Sequence, residues 1–329
     1  MSQFRHLLGA AFTLIGLSSA AFAAAAVARD SPVQETYVKA NGIRFHCVSR
    51  GRGELMLFLH GFPEFWYEWK DQLQEFGSDH QVVACDLRGY NLSDKPAAVD
   101  DYRGPVLLAD VRALADHFRK GHKFVLVGHD WGGALAFAFA AAHSEYLNKL
   151  IVINAPYPAV FGKLLASDPE QQKASQYMFM FRSPQAEEKL TANNDALLSR
   201  IVLDDLLKTG AMTEADQKAY RTAWSQPGAL TGGLNYYRAN RLGPPAPARL
   251  EAQIGASDSE FGSDTANERI RVPTLVIWGE KDPALPPKNL DGLAQYIPQL
   301  TIKRIPDGTH WVIHEKPAEV NGYIREFIR

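Results

Sequence analysis

Residues 125–133, VLVGHDWGG, constrain this chain more than any other stretch. Val125, Leu126 and Val127 form a short apolar run, the pattern of a strand buried on both faces. The small residues of 132–142 read as a tightly packed helix. Between the two the chain must turn sharply. Gly128 and Gly132 stand two positions either side of Asp130, where a strand-to-helix turn leaves no room for neighbouring Cβ atoms. Such a turn lifts one side chain clear of the sheet. The residue usually found there is serine, and here it is Asp130.

That exchange changes the chemistry. A serine at the turn makes esters from acyl substrates, but a carboxylate gains nothing by displacing another acyl group. It is suited to attack on an sp³ carbon bearing a leaving group, giving an alkyl ester that water then hydrolyses. An epoxide or a carbon–halogen bond fits. The bland reading makes Asp130 an N-cap of the following helix, and it loses weight as the rest of the chain is read.

The 329 residues are 46% hydrophobic and 11% aromatic, enough for a large core in one domain with an insertion. A formal charge of −2 without a basic block argues against nucleic acid or an anionic membrane surface as partner. Residues 1–23 read as a secretory signal: Arg5 and His6 precede an apolar run over 7–20, and Ala21-Phe22-Ala23 offers a small-residue cleavage point. The run is too short to span a bilayer comfortably. The expectation is export to the periplasm or beyond, with no membrane attachment after cleavage.

From residue 33 onward, strands are expected at 35–39, 43–48, 55–59, 81–85, 125–127, 147–154, 273–278 and 300–305. Asn41-Gly42 marks a hairpin between the first two. Helices are expected at 64–76, 106–120, 132–142, 317–328 and between the last two strands. This alternation implies a mostly parallel sheet covered on both faces. It stops over 157–247, where helical patterns are broken by prolines. That insertion reads as a helical cap, with 24–156 and 248–329 as the two parts of the core and 251–268 as a surface loop.

His310 follows the last strand in DGTHW, and Asp282 follows the strand before it in GEKD. The carboxyl ends of parallel strands share one edge of a sheet, so Asp130, Asp282 and His310 converge on one crevice. Asp282 is preferred over Glu280 as the acid partner. Asn154, at the end of the sixth strand, lacks the charge to serve as one. Asp130 would attack, His310 would take a proton from the hydrolytic water, and Asp282 would fix its tautomer. The backbone N–H groups of Phe62 and Trp131 are the expected oxyanion donors.

These features resemble the epoxide hydrolases of the α/β-hydrolase superfamily. The matching stretches are HGFPEFWYEW (60–69), DLRGY (86–90), GHDWGG (128–133), QYMFMF (176–181), LNYYR (234–238), GEKD (279–282) and GTHW (308–311). The resemblance implies the α/β-hydrolase fold: eight strands, mostly parallel, in the order 1-2-4-3-5-6-7-8, with the cap between strands six and seven. It also implies that Tyr177 and Tyr237 hydrogen-bond the epoxide oxygen; each alone would read as a core tyrosine, as Tyr220 and Tyr236 do. His60, Pro63, Trp66, Phe179 and Trp311 are expected around the pocket, with Pro63 shaping the loop. The substrates implied are a small epoxide and water, and the mechanism asks for no metal or organic cofactor. In the implied order Cys47 and Cys85 lie on neighbouring strands. Adjacent-strand disulfides are uncommon, so two buried thiols are favoured over a bridge.

Two other readings remain. A haloalkane dehalogenase shares the aspartate nucleophile but needs two N–H donors for halide, and Phe62 offers no side-chain donor. A haloacetate dehalogenase would favour Arg where Trp131 stands. The third class is a secreted binding or effector protein on a hydrolase scaffold without turnover. Oligomeric state is left open.

Overall fold

The computed structural model describes residues 33–257 and 268–329. The signal segment of 1–23 and residues 258–267 of the loop expected at 251–268 lie outside the described residues; the first four residues of that loop belong instead to helix Ala248–Ile254, which carries the helical insertion past its expected end at 247. Within them eight strands form one sheet: β1 (Gln34–Ala40), β2 (Ile43–Arg50), β3 (Leu55–Leu59), β4 (Gln81–Cys85), β5 (Phe124–His129), β6 (Leu147–Ile153), β7 (Thr274–Gly279) and β8 (Leu300–Ile305). Their order is β1-β2-β4-β3-β5-β6-β7-β8, as the resemblance implied. β2 runs antiparallel to both β1 and β4, and the remaining neighbours are parallel.

The central strands are apolar throughout because both faces are covered. On β3, Leu55, Leu57 and Leu59 face the layer holding Leu107, Val111 and Leu114 of helix Gly104–Phe118. Met56 and Phe58 face the opposite layer with Leu73 and Phe76 of helix Lys70–Phe76 and Val320 and Ile324 of helix Pro317–Ile328. The period-two alternation sorts these side chains. Each large one, fully buried, stabilises the fold by roughly 1.5–3 kcal/mol relative to exposure.

Among the described residues seven helices lie between β6 and β7 and form the insertion, from Pro158–Ser167 to Ala248–Ile254. It is tied to the core by polar bonds. The Trp224 indole N–H donates to the Pro63 carbonyl at 2.7 Å, and the Tyr236 hydroxyl donates to the Arg88 carbonyl at 3.0 Å. Tyr220 bonds to the buried carboxylate of Glu64. Tyr220 and Tyr236 are therefore core tyrosines with satisfied hydroxyls.

Three expectations need correcting. Cys47 and Cys85 are disulfide-bonded. They are direct partners in the β2–β4 register, with Cα atoms 3.9 Å apart, and this pairing is set by sheet register rather than local sequence. No full helix forms between β7 and β8; the prolines and Gly292 leave two short 3₁₀ turns, Pro287–Leu290 and Leu293–Gln295. The helix expected at 64–76 starts later, as a 3₁₀ turn at Trp66–Trp69 that continues into Lys70–Phe76.

Candidate active site

Asp130 opens helix Asp130–Ala142 directly after β5, with a φ of 50° in the left-handed region. The glycines around it make this turn possible. A Cβ on Gly128 would lie 2.3 Å from the Gly132 carbonyl oxygen, and one on Gly132 would lie 2.1 Å from that of Leu59. The loop after β3 then closes over the carboxylate. The Phe62 N–H donates to Asp130 Oδ1 at 2.8 Å, as expected of an oxyanion donor. The second expected donor, the Trp131 N–H, belongs to the first turn of the helix, where amides have no intrahelical acceptor.

His310 stands between two carboxylates. Its Nδ1 is 2.7 Å from Asp282 Oδ2 and its Nε2 is 3.6 Å from Asp130 Oδ2. Burial lowers the His310 pKa, but the charge and hydrogen bond of Asp282, followed by the charge of Asp130, outweigh it and raise the value to about 9. Burial likewise opposes ionisation of Asp282, and His310 overcomes it, so that this carboxyl stays below the usual range. Glu280 turns away and pairs with Arg304 at 2.8 Å, leaving Asp282 as the partner.

The sequence reading missed a role for Asn154. Its Nδ2 donates to Asp282 Oδ2 at 2.8 Å, while its Oδ1 accepts the Gly279 N–H at 2.8 Å. The amide that cannot supply a charge instead anchors the acid to the end of β7. The Ala284 and Leu285 N–H groups, at 2.8 and 2.9 Å, hold the other oxygen of Asp282.

Above Asp130 a cavity of about 520 Å³ extends between core and insertion, lined by Tyr177, Tyr237, Phe62, His310 and Trp311 among others. A smaller one of about 80 Å³ shares Asp130, Tyr177 and Tyr237 and continues past Trp131 to Phe161 and Leu165. The two tyrosines are hydrogen-bonded to each other, and Tyr237 also bonds the side chain of Trp131. Burial, followed for Tyr177 by the Asp130 charge and for Tyr237 by Tyr177, raises both pKa values well above the ordinary phenol. Both hydroxyls therefore keep their protons at neutral pH.

Four residues expected around this pocket do not line it. His60 is a buried brace: its Nε2 accepts the Leu87 N–H at 2.9 Å and its Nδ1 lies 2.9 Å from the Gly61 carbonyl. Pro63 meets the insertion through its carbonyl, as described above. Trp66 packs behind the loop against Phe65 and Tyr67, and its N–H donates to Asp86. Phe179 misses the cavity because helical spacing puts Met180 and Phe181 on the same face as Tyr177.

Comparison with known proteins identifies the family to which this fold belongs. The family model for the alpha/beta hydrolase fold matches residues 54–317. A protein of the AB hydrolase superfamily from Bacillus subtilis (strain 168), YfhM, is 38% identical over 298 residues, covering 89% of this chain and 97% of that protein. Epoxide hydrolase 3 of Xenopus tropicalis is 38% identical over 300 residues, 89% of this chain and 76% of that one. The crystal structure of the Bacillus megaterium epoxide hydrolase in complex with an inhibitor superposes with a TM-score of 0.79 at 37% identity, covering 89% of this chain and 99% of that chain. The chain belongs to the α/β-hydrolase family.

Proposed function

We propose that this chain is an epoxide hydrolase, converting an epoxide to a vicinal diol through a covalent ester on Asp130. The relatives bearing that name support the activity, and the geometry supports the route. Oδ1 of Asp130 is held by the Phe62 N–H, which leaves Oδ2 to attack an epoxide carbon. The C–O bond breaks and the oxygen takes a proton from Tyr177 or Tyr237. Water, losing a proton to His310 Nε2, then adds to the carboxyl carbon of the ester. The Phe62 N–H stabilises the oxyanion on Oδ1, and as it collapses His310 returns its proton to the original Oδ2, which leaves in the diol. The carboxylate is restored with one oxygen from water, and the remaining water proton returns to the tyrosine.

The observation that carries this reading is that Tyr177 and Tyr237 face Asp130 across the same cavity. An alkoxide leaving group needs a proton, whereas a halide leaves as a stable anion. A dehalogenase would need free N–H donors here, yet the Trp131 side chain is engaged by Tyr237 and Phe62 has no side-chain donor. A non-catalytic effector would have no use for the ordered Asp282–His310 pair. Turnover of a panel of epoxides and haloalkanes tests the proposal. Diol from epoxides with little halide release supports it, and preferential halide release would replace it with the dehalogenase reading.

A further inference from the structure

Beneath Asp130 lies a second buried pair that the mechanism above does not use. Glu68, on the turn Trp66–Trp69, and His129, the residue before the nucleophile, are in direct contact through Glu68 Oε1 and His129 Nδ1. The Gly61 N–H donates to Glu68 Oε2 at 3.2 Å, and His129 Nε2 lies 2.9 Å from the carbonyl oxygen of His310. A carbonyl can only accept, so Nε2 carries a proton. A neutral His129 then presents a bare Nδ1, and Glu68 must supply the hydrogen.

We propose that Glu68 is a protonated positioning residue, whose O–H donates to His129 Nδ1 while its other oxygen holds the Gly61 amide. One uncharged carboxyl thereby fixes three parts of the site: the loop that aims the Phe62 N–H, the residue preceding Asp130, and the backbone of His310. This inference rests on the catalytic reading of those groups given above.

The surroundings favour the uncharged form. Glu64, His314, Asp130, His310, His60, Tyr90 and Tyr220 are the titratable groups facing this pair. Glu64 already forms an ion pair with His314 at 3.2 Å, and Asp130 is needed as an anion. A third carboxylate here would be buried among two others, and the one group in contact to balance it, His129, would have to carry a charge in the same buried site. Burial, followed by the charge of Glu64, accordingly pushes the Glu68 carboxyl well up. Burial, followed by the positive charge on His310, holds His129 down to about 4.

Glutamine reproduces a protonated glutamate: its NH₂ can donate to His129 and its carbonyl can accept from Gly61. Alanine can do neither. The experiment compares wild type, E68Q and E68A by rapid-quench mass spectrometry of the Asp130 adduct across pH, with infrared spectroscopy of isotope-labelled glutamate. Wild type should show a carboxylic-acid carbonyl band at neutral pH that E68Q lacks. E68Q should hydrolyse the adduct at the wild-type rate with an unmoved pH midpoint, because no charge has been removed from beside His310. E68A should slow hydrolysis by about 100-fold, the effect of misplacing a catalytic group by around an ångström. A wild type without the acid band, an E68Q midpoint shifted down, or an E68A with wild-type hydrolysis would overturn the inference. If E68A does not fold, the infrared band and the E68Q profile still decide it. If no protein, wild type included, forms an Asp130 adduct, the proposed reaction fails instead, and the band alone judges Glu68.

Discussion

His310 Nε2 lies 3.6 Å from Asp130 Oδ2, close enough for the carboxylate to help hold the proton on the imidazole. In the resting site the imidazole is protonated at neutral pH, since its pKa is raised to about 9. It cannot then act as a base. Alkylation of Asp130 removes one of the two charges that hold that proton. The pKa of His310 falls, and the base is released at the step that needs it.

Asp130→Asn should therefore lower the midpoint of His310, as read by NMR of the labelled imidazole. The sign follows from the loss of a nearby anion. For the same reason, hydrolysis of the alkyl ester in the wild type should rise with pH through a midpoint below about 9. The raised pKa also stabilises the free fold. That contribution is complete below the unfolded value of about 6.5 and is lost as pH rises through about 9. An unchanged or higher His310 midpoint in Asp130→Asn would contradict this account.

Tyr177→Phe and Tyr237→Phe should each slow formation of the ester, and the double variant should lose nearly all of it. General-acid assistance is typically worth roughly 10² to 10⁴ in rate. Stopped-flow measurement of the first turnover checks this, with circular dichroism to establish folding. Wild-type alkylation in the double variant would make both residues core tyrosines.

Asn154→Ala removes the amide that binds Asp282 and the Gly279 backbone. A hydrogen bond to a charged group is worth about 1.5–3 kcal/mol, so stability at neutral pH should fall by about that amount. Steady-state kinetics should show kcat reduced roughly tenfold or more on the same energy scale, with KM little changed. Urea unfolding and initial rates supply the two readouts. Unaltered kcat would mean that the Ala284 and Leu285 amides alone suffice to hold Asp282.

What could be read from sequence was whatever depends on local pattern. The glycines around Asp130 announce the turn, and the residues following β7 and β8 place Asp282 and His310 at one sheet edge. The tyrosines were legible only through resemblance, because a tyrosine in an aromatic helix looks like core until its neighbours across the chain are known. Asn154 could be placed at the end of the sixth strand, but its bond to the acid gave no signal, and neither did Glu68. Their roles rest on bonds to residues 128 and 61 positions away for Asn154 and Glu68–His129, which only the folded sheet brings together. Aromatic residues beside a motif proved a poor guide to the pocket. Phe179 and Trp66 point away because helical period and loop direction, not proximity in sequence, decide which face a side chain takes.

The central claim is that Asp130 forms an ester which His310 is needed to clear. Intact and peptide mass spectrometry of His310→Gln after exposure to a monosubstituted epoxide tests it most directly. The predicted result is a gain of one whole substrate mass, located on the peptide at Asp130 and persisting after free epoxide is removed. An unmodified protein that still turns over, or a stable adduct on any other residue, would contradict the account.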